Sequence, residues 1–100
     1  MLPNNFRLFQ ETEDKFKKLK TRIGITPNVA ARIAFFSSVE SGYQYILDDQ
    51  RADGSLALNK TVWFGDYEAL VDTLLRDLYP GLNDDELVRA WANHVRDGHP

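Results

Sequence analysis

The sequence predicts a mainly α protein: a compact helical single domain over residues 1–100, built from four or more helices. Three observations carry this. Apolar residues recur at helical spacing in several separate stretches. The punctuation between those stretches is that of helix ends, in Gly24, Thr26-Pro27, Tyr79-Pro80-Gly81 and Asn83. Finally, 100 residues with 43% apolar and 27% charged side chains suffice for one hydrophobic core and are too few for two.

The chain opens with Pro3-Asn4-Asn5, a poor helix start, and Phe6-Arg7-Leu8-Phe9 fits a short extended run with aromatics at both ends. From about Glu11 the pattern turns helical. Phe16, Leu19 and Ile23 make one apolar stripe, with acids in the first turn and bases in the last, as the helix dipole favours. Gly24 fits the left-handed residue that ends such a helix.

Thr26 then offers an N-cap and Pro27 a first helical residue that loses no hydrogen bond. In the helix that follows, Val29, Ile33 and Phe36 share one face, flanked by Phe35 and Val39, and Ala31, Ala34, Ser38 and Ser41 form a face of small residues. Charge is confined to Arg32 and Glu40. So apolar a helix is expected to be buried nearly all round, with a second subunit supplying the missing cover over the small face.

Gly42 ends or bends that helix, and Asp48 to Ser55 reads as loop, with Asp53-Gly54 its strongest turn signal. A short strand is expected at 61–64. Asp66 is the expected N-cap of an amphipathic helix in which Tyr67, Leu70, Val71, Leu74, Leu75 and Leu78 face inward. Asn83 and Glu86 have the spacing of a capping box, opening a last helix that buries Leu87, Val88, Trp91 and Val95.

The formal net charge of −3 conceals a polarised chain: residues 1–35 carry +4 and residues 36–100 carry −7. A binding face responds to the local field more than to the total. Lys15, Lys17, Lys18, Lys20 and Arg22 place five cations in eight residues, a density suited to phosphate contacts. A solvated face explains much of it equally well, because Glu11–Lys15, Glu13–Lys17 and Asp14–Lys18 are all favourable i,i+4 pairs. Lys20 and Arg22 have no acid four residues upstream.

Other chemistry is poorly provided for. With no cysteine there are no disulfides or thiolate sites. The Asp49–Gly54 stretch has Arg51 and Lys60 where a calcium loop needs carboxylates. His94 reads as a core or surface histidine and His99 as part of a fraying tail. No phosphate-cradling glycine loop, nucleophile elbow or spaced His/Glu pair is present. The expectation is a non-enzyme without metal or cofactor. No signal peptide or membrane span is legible, so the expected location is cytoplasmic.

A short strand, a helix, a glycine loop and a Thr-Pro-Asn helix start is the order of ribbon-helix-helix DNA binders, in which Arg7 would face bases. A helical hairpin with a disordered start fits the same residues. The run Lys20-Thr21-Arg22-Ile23-Gly24-Ile25-Thr26-Pro27-Asn28, continued by Arg32-Ile33-Ala34 and preceded by Phe6-Arg7-Leu8-Phe9, resembles the DndE family of DNA sulfur-modification proteins. The resemblance spans the chain. It implies a non-catalytic accessory of phosphorothioate modification, a homo-oligomer, specifically a tetramer, that binds duplex DNA, intact or nicked, alongside other sulfur-modification proteins. It places the contact on the basic segment, hence on Lys15, Lys17, Lys18, Lys20 and Arg22. The alternatives are a sequence-specific ribbon-helix-helix regulator and an adaptor whose basic helix docks an acidic protein.

Overall fold

The structure, a computed structural model, describes residues 2–99. Its frame is a pair of helices, α2 (Pro27–Glu40) and α5 (Asp84–Gly98), packed along their lengths. What lets them approach is the small face of α2: Ala30, Ala31, Ala34 and Ser38 are all buried. A Cβ placed on Gly98 would lie 1.8 Å from the Ala34 carbonyl oxygen, so the two backbones are in direct contact there. Of the small face predicted for a second subunit, Ala31, Ala34 and Ser38 are therefore spent inside the chain, and Ser41 is left exposed. The apolar residues that α2 leaves in solvent are Val29 and Ile33, two of those expected to be buried, and Ile33 is 58% exposed.

Helix α1 (Gln10–Ile23) ends where Gly24 takes a left-handed φ of 76° and donates its N–H to the Lys20 carbonyl. Phe16 is buried, Leu19 half-buried and Ile23 62% exposed, so the predicted stripe leaves the body of the protein as the helix proceeds. Thr26 caps α2 through its backbone alone, accepting from Ala30 N–H at 3.0 Å; its hydroxyl makes no cap bond.

The extended N-terminal segment is shorter than predicted. Strand β1 (Asn5–Phe6) pairs antiparallel with β2 (Leu58–Asn59), Asn5 opposite Asn59 and Phe6 opposite Leu58. The expected strand at 61–64 is instead helical, α3 (Lys60–Phe64), capped by Asn59 Oδ1 accepting from Val62 N–H at 2.9 Å. Successive strand residues point to opposite faces, yet Trp63 and Phe64 are both buried, which a helical turn permits. They join Phe6 and Trp91 in an aromatic cluster with centroids 4.9–5.6 Å apart, edge-to-face among Phe6, Phe64 and Trp91 and tilted between Trp63 and Trp91. The Trp63 indole N–H donates to the Phe6 carbonyl at 3.0 Å, tying the chain's start to its middle.

Asp66 is not the predicted N-cap. It lies in a single 3-10 turn, Gly65–Tyr67, and α4 begins at Glu68 and runs to Leu78. Arg32 determines this route. Its guanidinium donates to the Trp63 and Val62 carbonyls at 2.8 and 2.9 Å, and a Cβ on Gly65 would lie 2.9–3.3 Å from it. Gly65 is the residue that can accept both that crowding and a φ of 53°. Of the predicted inward face of α4, Val71 and Leu75 are buried, whereas Tyr67 and Leu70 remain about half exposed. The Asn83/Glu86 capping box is present in full at the start of α5.

Candidate nucleic-acid interface

Three of the five predicted cationic residues share a stripe. Lys15, Lys18 and Arg22 follow one another at i, i+3 and i+7 on α1 and, with Phe16, Leu19 and His99, line a shallow hollow of about 190 Å³. His99 is not frayed: its ring stands edge-on to Phe16 and its Nε2 is 3.2 Å from Lys15 Nζ. Lys20, also exposed, lies on another flank of the helix.

Lys17 is diverted. It pairs at 2.9 Å with Glu13, whose side chain is wholly buried. Burial alone would raise the Glu13 carboxyl. Bonds from Lys17, the Leu56 backbone N–H at 2.6 Å, the Ser55 hydroxyl at 2.8 Å and the Gln10 amide at 3.0 Å outweigh it and bring the carboxyl down to about 2. Glu13 is thus the peg that fastens the 53–56 turn onto α1.

The other two predicted i,i+4 pairs do not form. Glu11 faces Arg96 at 3.7 Å, and Asp14 accepts from the Gln10 side chain at 2.9 Å. No carboxylate of the described residues comes within ion-pair distance of Lys15, Lys18, Lys20 or Arg22. The pairing that would have made the basic helix a self-neutralised face is therefore present at Lys17 and missing along the Lys15–Lys18–Arg22 stripe.

Arg7, the base-facing residue of the ribbon-helix-helix reading, donates instead to the Gly54 carbonyl at 2.8 Å. The strand pairing which that reading places between subunits is made here within one chain.

His94 belongs to the core. Its Nε2 lies 2.6 Å from the Tyr79 hydroxyl and its Nδ1 2.9 Å from the Ser38 hydroxyl, which donates to Asp97 Oδ2 at 2.7 Å. Tyr45 N–H donates to the Tyr79 oxygen at 2.8 Å. One assignment satisfies every bond: Tyr45 N–H to Tyr79, Tyr79 O–H to His94 Nε2, His94 Nδ1–H to Ser38, and Ser38 O–H to Asp97. Burial lowers the imidazole to about 4, so neutral histidine is the form this chain of bonds requires. Serine, histidine and aspartate are together here, but the carboxylate holds the serine rather than the imidazole; Ser38 and His94 are buried, and Asp97 stands at the surface. Among the described residues no group of three or more His, Cys, Asp or Glu is placed to hold a metal ion. No helix among them is long and apolar enough to cross a membrane.

Fold and surface define a small helical protein that carries on one helix a cationic stripe without a carboxylate partner among the described residues. The family model described as "DNA sulphur modification protein DndE" matches residues 5–100. The chain belongs to the DndE family. It is 49% identical to DndE from Escherichia coli B7A, whose crystal structure, described as involved in DNA phosphorothioation modification, superposes with a TM-score of 0.91 over 98% of this chain and 95% of that one. A crystal structure of a glycine-to-lysine double mutant of DndE is similarly close, at 48% identity and a TM-score of 0.90 over 98% and 95% of the two chains. No match is found among curated protein sequences.

Proposed function

We propose that this protein is a non-catalytic DNA-binding accessory of phosphorothioate modification, which works beside the other sulfur-modification proteins as a homo-oligomer. Lys15, Lys18 and Arg22 carry the contact to backbone phosphates, with Lys20 adding to the field and Lys17 contributing least. The observation that carries this is the unpaired stripe on α1. A solvated salt-bridge ladder needs partners for its cations, and Lys15, Lys18, Lys20 and Arg22 have none among the described carboxylates. The non-catalytic reading is supported by the burial of His94 and Ser38, whose polar atoms are engaged with each other, Tyr79 and Asp97.

Assembly strengthens so small a stripe. Phe16 and Leu19 border both the basic hollow and an apolar groove that they share with Ile23, Ile25 and Ile33. A second copy seated on that groove sets two basic stripes near one another, and linked contacts raise effective concentration.

The test is duplex DNA affinity, intact and nicked, over a range of salt concentrations. Each phosphate contact removed flattens the log–log salt slope by about 0.9. Lys18→Glu with Arg22→Glu is expected to lower affinity at least about tenfold and to flatten that slope. Lys17→Gln should change it little. Affinity indifferent to salt, or retained in the double variant, removes the reading. No binding to any DNA at low salt assigns the stripe to an acidic protein partner.

A further inference from the structure

We propose that Arg7, Arg51 and Arg89 form an oxyanion site that takes a single phosphate group, separate from the α1 stripe. The three arginines line one cavity of about 270 Å³ between the N-terminal segment, the 51–52 loop and the first turns of α5; Pro3, Asn5, Ala52 and Val88 complete its walls. Asp85 is the one carboxylate in its lining.

Of the other arginines, Arg76 bonds Asp72 and Asp84 and Arg96 faces Glu11, while Arg32 is spent on the Trp63 and Val62 carbonyls. None of the three cavity arginines comes within ion-pair distance of a carboxylate among the described residues. Three like charges gathered around one space repel each other, and an oxyanion placed there relieves that repulsion. Guanidinium is also the group whose planar fork matches phosphate oxygens.

The site is held in place rather than merely crowded. Arg7 donates through one nitrogen to the Gly54 carbonyl at 2.8 Å, and Arg89 likewise to the Asp48 carbonyl at 3.2 Å. The two arginines therefore grip the two ends of the loop that presents Arg51 midway. That loop is fixed again by Gly54 N–H donating to the Leu8 carbonyl at 2.8 Å and by Gln10 N–H donating to Asp53 at 2.9 Å. A Cβ on Gly54 would lie 2.5 Å from the Leu8 carbonyl, so the close approach needs glycine. After their backbone bonds, Arg7 and Arg89 keep most of their five N–H donors for a ligand. Arg51 is exposed and its side chain makes no hydrogen bond among the described residues, so its donors are available to a ligand.

At this size the cavity suits a phosphate with its attached sugar better than a whole drug-sized ligand. The phosphate can belong to a DNA strand or to a free nucleotide. The cavity lies against the first turns of α5, whereas His99 of the α1 hollow follows that helix's last residue. Val88 and His99 are eleven residues apart, about 16 Å along the axis at helical rise, so neither site is part of the other.

The experiment follows the arginine Nε–Hε signals of the full chain by NMR while inorganic phosphate, deoxyadenosine monophosphate or a short DNA duplex is added. Saturable shifts at Arg7, Arg51 and Arg89 are expected. Arg51→Ala touches no fold contact and should weaken binding about tenfold, the worth of one charge-assisted hydrogen bond. Asp85→Asn should tighten it severalfold, an opposite-signed effect that damage to the fold would not produce.

The duplex arm is repeated in a chain carrying Lys15→Glu, Lys18→Glu and Arg22→Glu, so that failure of the α1 reading and failure of this one are told apart. Loss of residual duplex binding on adding Arg51→Ala identifies a DNA phosphate. Saturation by phosphate and mononucleotide, with duplex binding indifferent to Arg51, identifies a free nucleotide. No saturable shift with any of the three probes, or shifts unchanged in both Arg51→Ala and Asp85→Asn, overturns the proposal.

Discussion

Two buried titratable residues make this fold sensitive to acid, in two successive windows that meet a little above pH 4. His94 has a folded value of about 4 against an ordinary 6.5, so between those limits the unfolded chain binds the extra proton and stability falls as pH falls. The loss approaches about 3 kcal/mol once pH lies below both values. Its cause is specific: a proton on Nε2 leaves the Tyr79 hydroxyl without its acceptor, and the relay back to Tyr45 must reorient. Glu13, held down to about 2 by its four donors, stabilises above its ordinary value of 4.5, and that contribution disappears as pH drops from there towards 2. Denaturant melts at pH 7, 5.5 and 4 should therefore show a steady fall that His94→Gln largely abolishes while itself lowering stability at pH 7. Direct NMR titration should place the His94 midpoint near 4; a midpoint near 6.5 would contradict the burial and the bond pattern together. Glu13→Gln should cost about 2 kcal/mol at pH 7, since an amide sets its own N–H groups against the Leu56 and Ser55 donors.

Among the elements, the α2–α5 contact is the one that a single atom can disturb. Gly98→Ala must push its methyl into the Ala34 backbone, a displacement expected to cost roughly 1–3 kcal/mol and to loosen hydrogen-exchange protection across both helices. Gly24→Ala meets open space at its Cβ, so its cost of about 1–2 kcal/mol is that of left-handed backbone alone and should stay local to the α1–α2 turn. Equal and equally local effects at the two positions would show that the helices can slide apart freely. Gly24 was legible as a helix stop and the Asn83/Glu86 box as a helix start, because both act through neighbours in sequence. Gly98 was not, since what it must avoid is 64 residues away. The same division explains the misplaced strand at 61–64 and the misplaced cap at Asp66: Arg32, from another helix, bonds the Val62 and Trp63 carbonyls and reroutes the segment. In the basic helix, spacing found the five cations and the Glu13–Lys17 pair, but it offered Glu11 and Asp14 as partners for Lys15 and Lys18. Their actual bonds go to Arg96, which arrives from α5, and to Gln10, four residues away on the same helix.

At the scale of the whole molecule, the unsettled surface is the apolar groove beside the basic stripe. Most of the small residues of α2 expected to receive another subunit are buried inside the chain; two exposed apolar residues, Ile23 and Ile33, flank that groove. If copies of this chain assemble there, Ile33→Asp places a charge where a second copy must exclude water, and a buried unpaired carboxylate is costly. The residue is more than half exposed in one chain, so the substitution should leave the monomer's melting nearly unchanged. Light scattering should then find an 11.5 kDa particle where the parent chain gives a multiple of it. Ile46→Asp supplies the control, because Ile46 is the most exposed large apolar side chain of the described residues and lies outside the groove. Its particle mass should not move. Duplex affinity should follow mass rather than charge: the Ile33 variant, with every lysine intact, is expected to bind at least tenfold more weakly as linked copies are lost. An Ile33→Asp chain that keeps its mass would place assembly on another face. One that becomes monomeric yet binds DNA as before would show that a single stripe of Lys15, Lys18 and Arg22 is sufficient.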